Sequence, residues 1–209
     1  MLMRFFVVTV LLACGWSQGL CAQQLPQRLP PPPAVQPAPD APRQTPDTRS
    51  QSRIDQLFER LAASRNEAEA GNISEQITRI WNRSGSDTLD LLMERVATAM
   101  KAQDQLTALD LLDSILLLKS DWPEAYSRRA AVLFQQKDLD GAMRDLRKSL
   151  ALEPRHFQAL AGVGMIFRQN EQPKQALAAF RAALAINPYF KGIKEAADKL
   201  AQEHGDQGI

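Results

Sequence analysis

The feature that most narrows what this chain can fold into is a self-similarity at a spacing of 34 residues. When Pro154 is laid over Pro188, segments 123–156 and 157–190 match at position after position. Tyr126 falls on Leu160, Ala130 on Gly164, Leu133 on Phe167, Ala142 on Ala176, Leu146 on Phe180 and Leu150 on Leu184. A period of this size signals stacked units, each of which buries its apolar face only against its neighbours. Two antiparallel helices approach to roughly 8 Å only where the crossing residues are small, as Ala130 with Ala142 and Gly164 with Ala176 supply. Large residues on either side then fill the groove. Pro154 and Pro188 end the second helix of each unit, because proline lacks the N–H and disfavours helical geometry in the residue before it. Pro123 and Pro173 suit first helical turns, where that N–H has no partner in any case.

The period and the pattern resemble the tetratricopeptide repeat (TPR). One step back in register, 89–122 carries Leu92, Val96, Ala108, Leu112 and Leu116 in the same slots, with Ser120 in place of the proline. A further step gives 55–88, where Phe58, Leu61, Ala62 and Ser74 fit while Thr78 and Trp81 depart. This segment reads as a degenerate capping repeat, since a terminal unit must face water. Ile193, Ala196, Ala197 and Leu200 recur at helical spacing and predict a capping helix over 191–203, with Gly205–Ile209 fraying. The resemblance implies an all-α, right-handed TPR-type superhelix of antiparallel helix pairs, over residues 51–204. The stretch from Trp81 to Val96 also looks like that of exported bacterial TPR proteins of unassigned function.

Ahead of the repeats, the segment 1–22 has one cation, Arg4, an apolar run from Phe5 to Ala13, and then small and polar residues. That is the layout of a secretory signal peptide, and the run is short of the roughly 20 apolar residues that span a bilayer. Cleavage after Ala22 and cleavage after Gly19 both fit. A third reading takes Leu11–Cys14 as a lipobox, with Cys14 acylated as a membrane anchor. The expected location is therefore exported, in the periplasm, with a membrane-anchored lipoprotein as the alternative. Residues 23–50 hold nine of the thirteen prolines. Such a stretch cannot bury enough apolar surface to repay its ordering entropy, so it reads as a linker.

Composition removes several chemistries. Twenty-five Lys and Arg against 24 acids leave a net charge of +1, which loss of Arg4 brings to zero, and the cations are interspersed with acids. Nothing in this calls for nucleic acid. Both cysteines, Cys14 and Cys21, lie in the leader, so cleavage after Ala22 leaves no thiol. With two histidines, His156 and His204, and no phosphate loop or nucleophile motif, no cofactor, metal site or catalytic residue is expected. His156 sits in the slot that Trp122 and Phe190 fill one repeat away, which marks it as a packing residue. The function expected is non-catalytic.

The resemblance also implies where binding occurs: the first helices of each pair line a concave face. The register puts Met93, Met100 and Lys101, then Ser127, Arg128 and Phe134, then Met165 and Arg168 on or beside it. The family's clamp for a C-terminal carboxylate needs Lys, Asn and Arg at slots that here hold Met93, Ala97, Arg128, Gln158 and Gly162, so that clamp is missing. What is left is a groove of methionines and a phenylalanine flanked by cations, suited to an amphipathic helix or an extended apolar peptide. The same stripe also fits packing between helices. Two functions follow: a protein–protein interaction scaffold of the cell envelope, or a structural subunit that self-associates.

Overall fold

The computed structural model describes residues 46–204; the leader, residues 23–45 and the terminus from 205 lie outside it. Among the described residues the secondary structure is helical throughout: α1 (Pro46–Ala62), α2 (Glu67–Trp81), α3 (Asp87–Lys101), α4 (Gln105–Leu118), α5 (Pro123–Gln135), α6 (Leu139–Leu152), α7 (Phe157–Gln169), α8 (Pro173–Ile186) and α9 (Ile193–His204). No described helix is long and apolar enough to cross a membrane.

Three pairs, α3–α4, α5–α6 and α7–α8, stack in sequence, with α4 against α5 and α6 against α7. Their turns repeat as faithfully as their cores. Gln103, Lys137 and Glu171, spaced by 34, all have left-handed backbone, with φ of 58°, 65° and 56°. The next residue's N–H then reaches back into the first helix, as Asp104 to Ala99, Asp138 to Leu133 and Gln172 to Phe167. Asp104 and Asp138 go on to cap the second helices, accepting from the N–H of Thr107 and Gly141. The close crossings fall where the small residues predict. Ala130, Ala142 and Ala176 are buried, and a Cβ on Gly164 would collide with the ring of Phe180. Helix α9 closes the far end with Ala197 and Leu200 buried against Ala176 and Phe180. Its outer side pairs Lys194 with Asp198 and Lys199 with Glu203.

The N-terminal hairpin departs from the register. The sequence pattern places a first repeat at 55–88, stacked in front of α3. The structure starts α1 at Pro46, inside the segment read as linker, and packs α1 on α8. The apolar cluster of the hairpin, Ile54, Leu57, Phe58, Leu61, Ile73, Ile77 and Trp81, takes in Phe157, Ile186, Tyr189 and Phe190. The cause lies in the two residues that broke the pattern. Thr78 accepts a 3.0 Å hydrogen bond from Gln158 at the start of α7. Trp81 stacks on His156, with centroids 4.2 Å apart and planes within 9°.

Candidate functional site

Three features of the repeats converge on this hairpin. Trp122, His156 and Phe190 occupy the same slot of successive units, just before each new first helix. Trp122 donates from Nε1 to the carbonyl of Trp81 at 2.7 Å, His156 lies under the Trp81 indole, and Phe190 packs into the hairpin's cluster, edge-on to Phe157 at 5.4 Å. Helix α2 thus crosses the starts of α5 and α7. Beyond them it reaches the end of α8, where Asn187 donates to Ser74 Oγ at 3.0 Å. Arg155 adds a link to α1, bonded to Asp55 at 2.8 Å and lying 4.3 Å over the Phe58 ring.

His156 is fully buried and holds three groups at once. Its Nδ1 accepts the Ala159 N–H at 3.3 Å and so caps α7, which puts the ring proton on Nε2, 3.2 Å from Glu124 Oε2. The other oxygen of Glu124 takes the Arg128 guanidinium at 2.7 Å, and Arg128 reaches on to Asn82 Oδ1 at 2.8 Å. Burial works to raise the Glu124 carboxyl, yet the His156 bond and the Arg128 charge outweigh it and hold it below its ordinary 4.5. A carboxyl lowered by folding stabilises the fold above its unfolded value, and that contribution is lost as pH falls through the folded value. Stability measured by denaturant at successive pH values is therefore expected to drop below about pH 4.5. Glu124→Gln is expected to flatten that part of the profile.

The face lined by α3, α5 and α7 contains two hollows. One, of about 360 Å³, lies between α5 and α7 and is lined by Ser127, Ala131, Phe134, Gln135, Gln158, Gly162 and Met165 over a floor of Ala130, Leu146 and Ile166. No ionisable side chain lines it. The other, of about 650 Å³, lies between α3 and the end of α2, with Arg79, Asn82, Asp90, Met93, Glu94, Ala97 and Arg128 on its walls.

The eight residues expected on this face divide accordingly. Ser127, Phe134 and Met165 come together in the first hollow, all half-buried. Phe134 also packs on the α5–α6 core and Met165 on the α8–α9 core, so each of the two lines the hollow while rooted in a core cluster. Met93 is buried, 3% exposed, within the α3–α4 core, and Met100 packs against the same cluster. Arg128 is committed to Glu124 and Asn82, lining the second hollow from its edge. Lys101 stands exposed at the end of α3, and Arg168 lines a separate gap against α9 with Lys199 and Glu203. Sequence reasoning missed Arg79 and Asn82, which reach this face only because α2 crosses it. The misfit of Thr78 and Trp81 with the repeat was the available signal.

Among the described residues no group of three or more His, Cys, Asp or Glu is placed to hold a metal ion. The arrangement offers shape, apolar surface and amide hydrogen bonding.

Comparison with known proteins agrees with this geometry. Tetratricopeptide repeat family models match residues 123–156 and 157–190. A TPR repeat-containing protein of Rhizobium etli is 35% identical over 151 residues, covering 72% of this chain and 74% of that protein. Among solved structures, the Arabidopsis OM64 TPR domain superposes with a TM-score of 0.53 at 22% identity, over 56% of this chain and 96% of its own. The first TPR of Spaghetti (RPAP3), bound to an HSP90 peptide, gives 0.53 at 18% identity, over 56% and 94%. With two repeats matched in the register that the turns and crossings define, and a relative aligned along most of both chains, this protein belongs to the tetratricopeptide repeat family.

Proposed function

We propose that the chain is a non-catalytic scaffold that holds a segment of another protein, an amphipathic helix or an extended peptide, in the hollow between α5 and α7. The observation that carries this reading is the lining of the hollow: Phe134 and Met165 half-exposed over an apolar floor, with Gln135 and Gln158 as the polar groups. A concave apolar site with few polar groups suits an apolar side chain whose backbone needs one or two hydrogen bonds. The peptide-bound TPR relative supports a peptide as the class of ligand. Its mode need not carry over, because the slots of the carboxylate clamp hold Met93, Ala97, Arg128, Gln158 and Gly162. The signal-peptide layout of residues 1–22 supports a role in the cell envelope, and mass spectrometry of the mature N-terminus distinguishes cleavage after Ala22 or Gly19 from acylation of Cys14.

The test is crosslinking capture from the native envelope with the wild-type chain, Phe134→Ala and Met165→Ala. A fully buried phenylalanine costs roughly 3–5 kcal/mol when cut to alanine, and a half-buried one about 1–2. The expected result is that both variants stay folded, with that modest loss, while the captured partner disappears. Undiminished capture by two folded variants would reject the hollow as the site.

A further inference from the structure

Helix α5 shows how one unit of the stack receives the helix in front of it. Ala125, Arg129 and Val132 form a strip that α4 covers. Ala125 and Val132 are 0–1% exposed and share a cluster with Leu112 and Leu116 of α4, while Arg129 reaches Asp113 of α4 at 2.6 Å. On α4 itself, Leu109, Leu112, Asp113 and Leu116 stand at i, i+3, i+4 and i+7, so one face carries the leucines and the acid together. The match is an arginine among apolar residues against a carboxylate among leucines.

The same strip recurs 34 residues earlier with no described helix over it. Its slots on α3 hold Leu91, Arg95 and Thr98. Leu91 is 50% exposed and the other two also face solvent, where Ala125 and Val132 are sealed. Arg95 has no hydrogen bond or ion pair among the described residues. Leu111 stands where Asp145 receives Arg129 within its own unit, and the place that α4 takes in front of α5 is open in front of α3.

Charge rules out the occupants nearest to hand. Stacked in register, this chain's α2 would bring Arg79 to the slot of Asp113, against Arg95. Helix α8 of a second copy would bring Arg181 there, and α9 already closes that end of the stack. At the same slot α6 carries Arg147, where α7 holds the uncharged Val163 in place of an arginine. Within the stack, then, the second helix with an acid at this slot is the one set before an arginine, and like charges so placed reject a partner.

We propose that the strip of Leu91, Arg95 and Thr98 is a docking site for an amphipathic helix of a partner protein, with apolar residues at i, i+3 and i+7 and an Asp or Glu at i+4. The helix lies on α3 as α4 lies on α5. Its apolar residues cover Leu91, and its carboxylate takes the Arg95 guanidinium. Apolar contact supplies the affinity, and the charge selects the partner. This site is separate from the hollow between α5 and α7 and does not rest on it.

The probe is a peptide of residues 103–120 with the exposed α4 positions changed by Leu106→Lys, Leu117→Lys and Leu118→Lys, and with a hydrocarbon link between positions 110 and 114 to hold it helical. Fluorescence anisotropy with the full chain is expected to show saturable binding that weakens about tenfold in Arg95→Glu. The same peptide with Asp113→Arg is expected to reverse the preference, binding Arg95→Glu about tenfold more tightly than the wild-type chain. Leu91→Asp is expected to lose both peptides, and Phe134→Ala to bind as the wild type does. Leu91 and Arg95 are exposed, so circular dichroism should show both variants fully helical. No saturable binding to the wild-type chain overturns the proposal, as does affinity indifferent to Arg95→Glu. Loss of binding in Phe134→Ala also overturns it, since the peptide would then occupy the hollow.

Discussion

Trp81→Ala is expected to lower global stability by about 3–5 kcal/mol and to free the hairpin before the repeats unfold. Trp81 is 6% exposed and touches Phe58, His156 and Phe157, with ring centroids 5.9, 4.2 and 5.3 Å away. Cutting it to alanine leaves a cavity bounded by one ring of α1 and two at the start of α7, which cannot close without moving α7. It also exposes one face of His156, on which the cap of α7 and the bond to Glu124 depend. Denaturant unfolding gives the loss, and hydrogen exchange locates it. Amides of α1 and α2 should lose protection by far more than those of α5–α8, because those pairs keep their own crossings. Equal loss across all helices would mean that the hairpin and the repeats form one cooperative unit.

The second large effect concerns Arg129, which joins three helices. Its guanidinium pairs with Asp145 through two bonds, at 2.7 and 2.8 Å, and with Asp113 at 2.6 Å. The Asp145 hydrogen bond, opposed by burial and aided by Asp113, drives the guanidinium further above its already high value, so it stays charged at any pH of interest. The shorter bond is not the stronger contributor. The Asp113 side chain is 64% exposed, and an exposed pair contributes about 0–1 kcal/mol. The Asp145 side chain is 8% exposed and takes two of the three bonds, so removing it leaves a part-buried guanidinium with the exposed Asp113 alone, a loss of about 1.5–3 kcal/mol. Asp145→Ala is therefore expected to destabilise several-fold more than Asp113→Ala, measured as the shift of the denaturant midpoint for each. Comparable effects would show that Arg129 turns to solvent when either partner is lost.

Both predictions concern contacts that differ in how legible they were. Ala130 over Ala142 and Gly164 under Phe180 follow from the repeat, since helices of fixed geometry can cross closely only over small residues. The left-handed residues Gln103, Lys137 and Glu171 follow the same period, although nothing in their identities marks a turn; their spacing alone does. The first hollow was partly legible: the register put Ser127, Phe134 and Met165 on one face, and they share one cavity. Met93 and Arg128 line the second hollow instead, Met93 rooted in the α3–α4 core and Arg128 held by Glu124 and Asn82. Position on a helix says which way a side chain leaves the axis, but not how deep its neighbours stand.

From the sequence alone came the all-helical repeat, its register from 89 to 190 and the capping helix. Each depends on contacts between residues a few positions or one period apart, and such contacts leave a periodic trace. Only the tertiary structure decided where α1–α2 sits, that Trp122, His156 and Phe190 form its seat, and how much of the concave face stays open. Those contacts pair single residues 41 to 124 positions apart, and their complementarity is one of shape, made where the chain returns on itself and repeated nowhere along it.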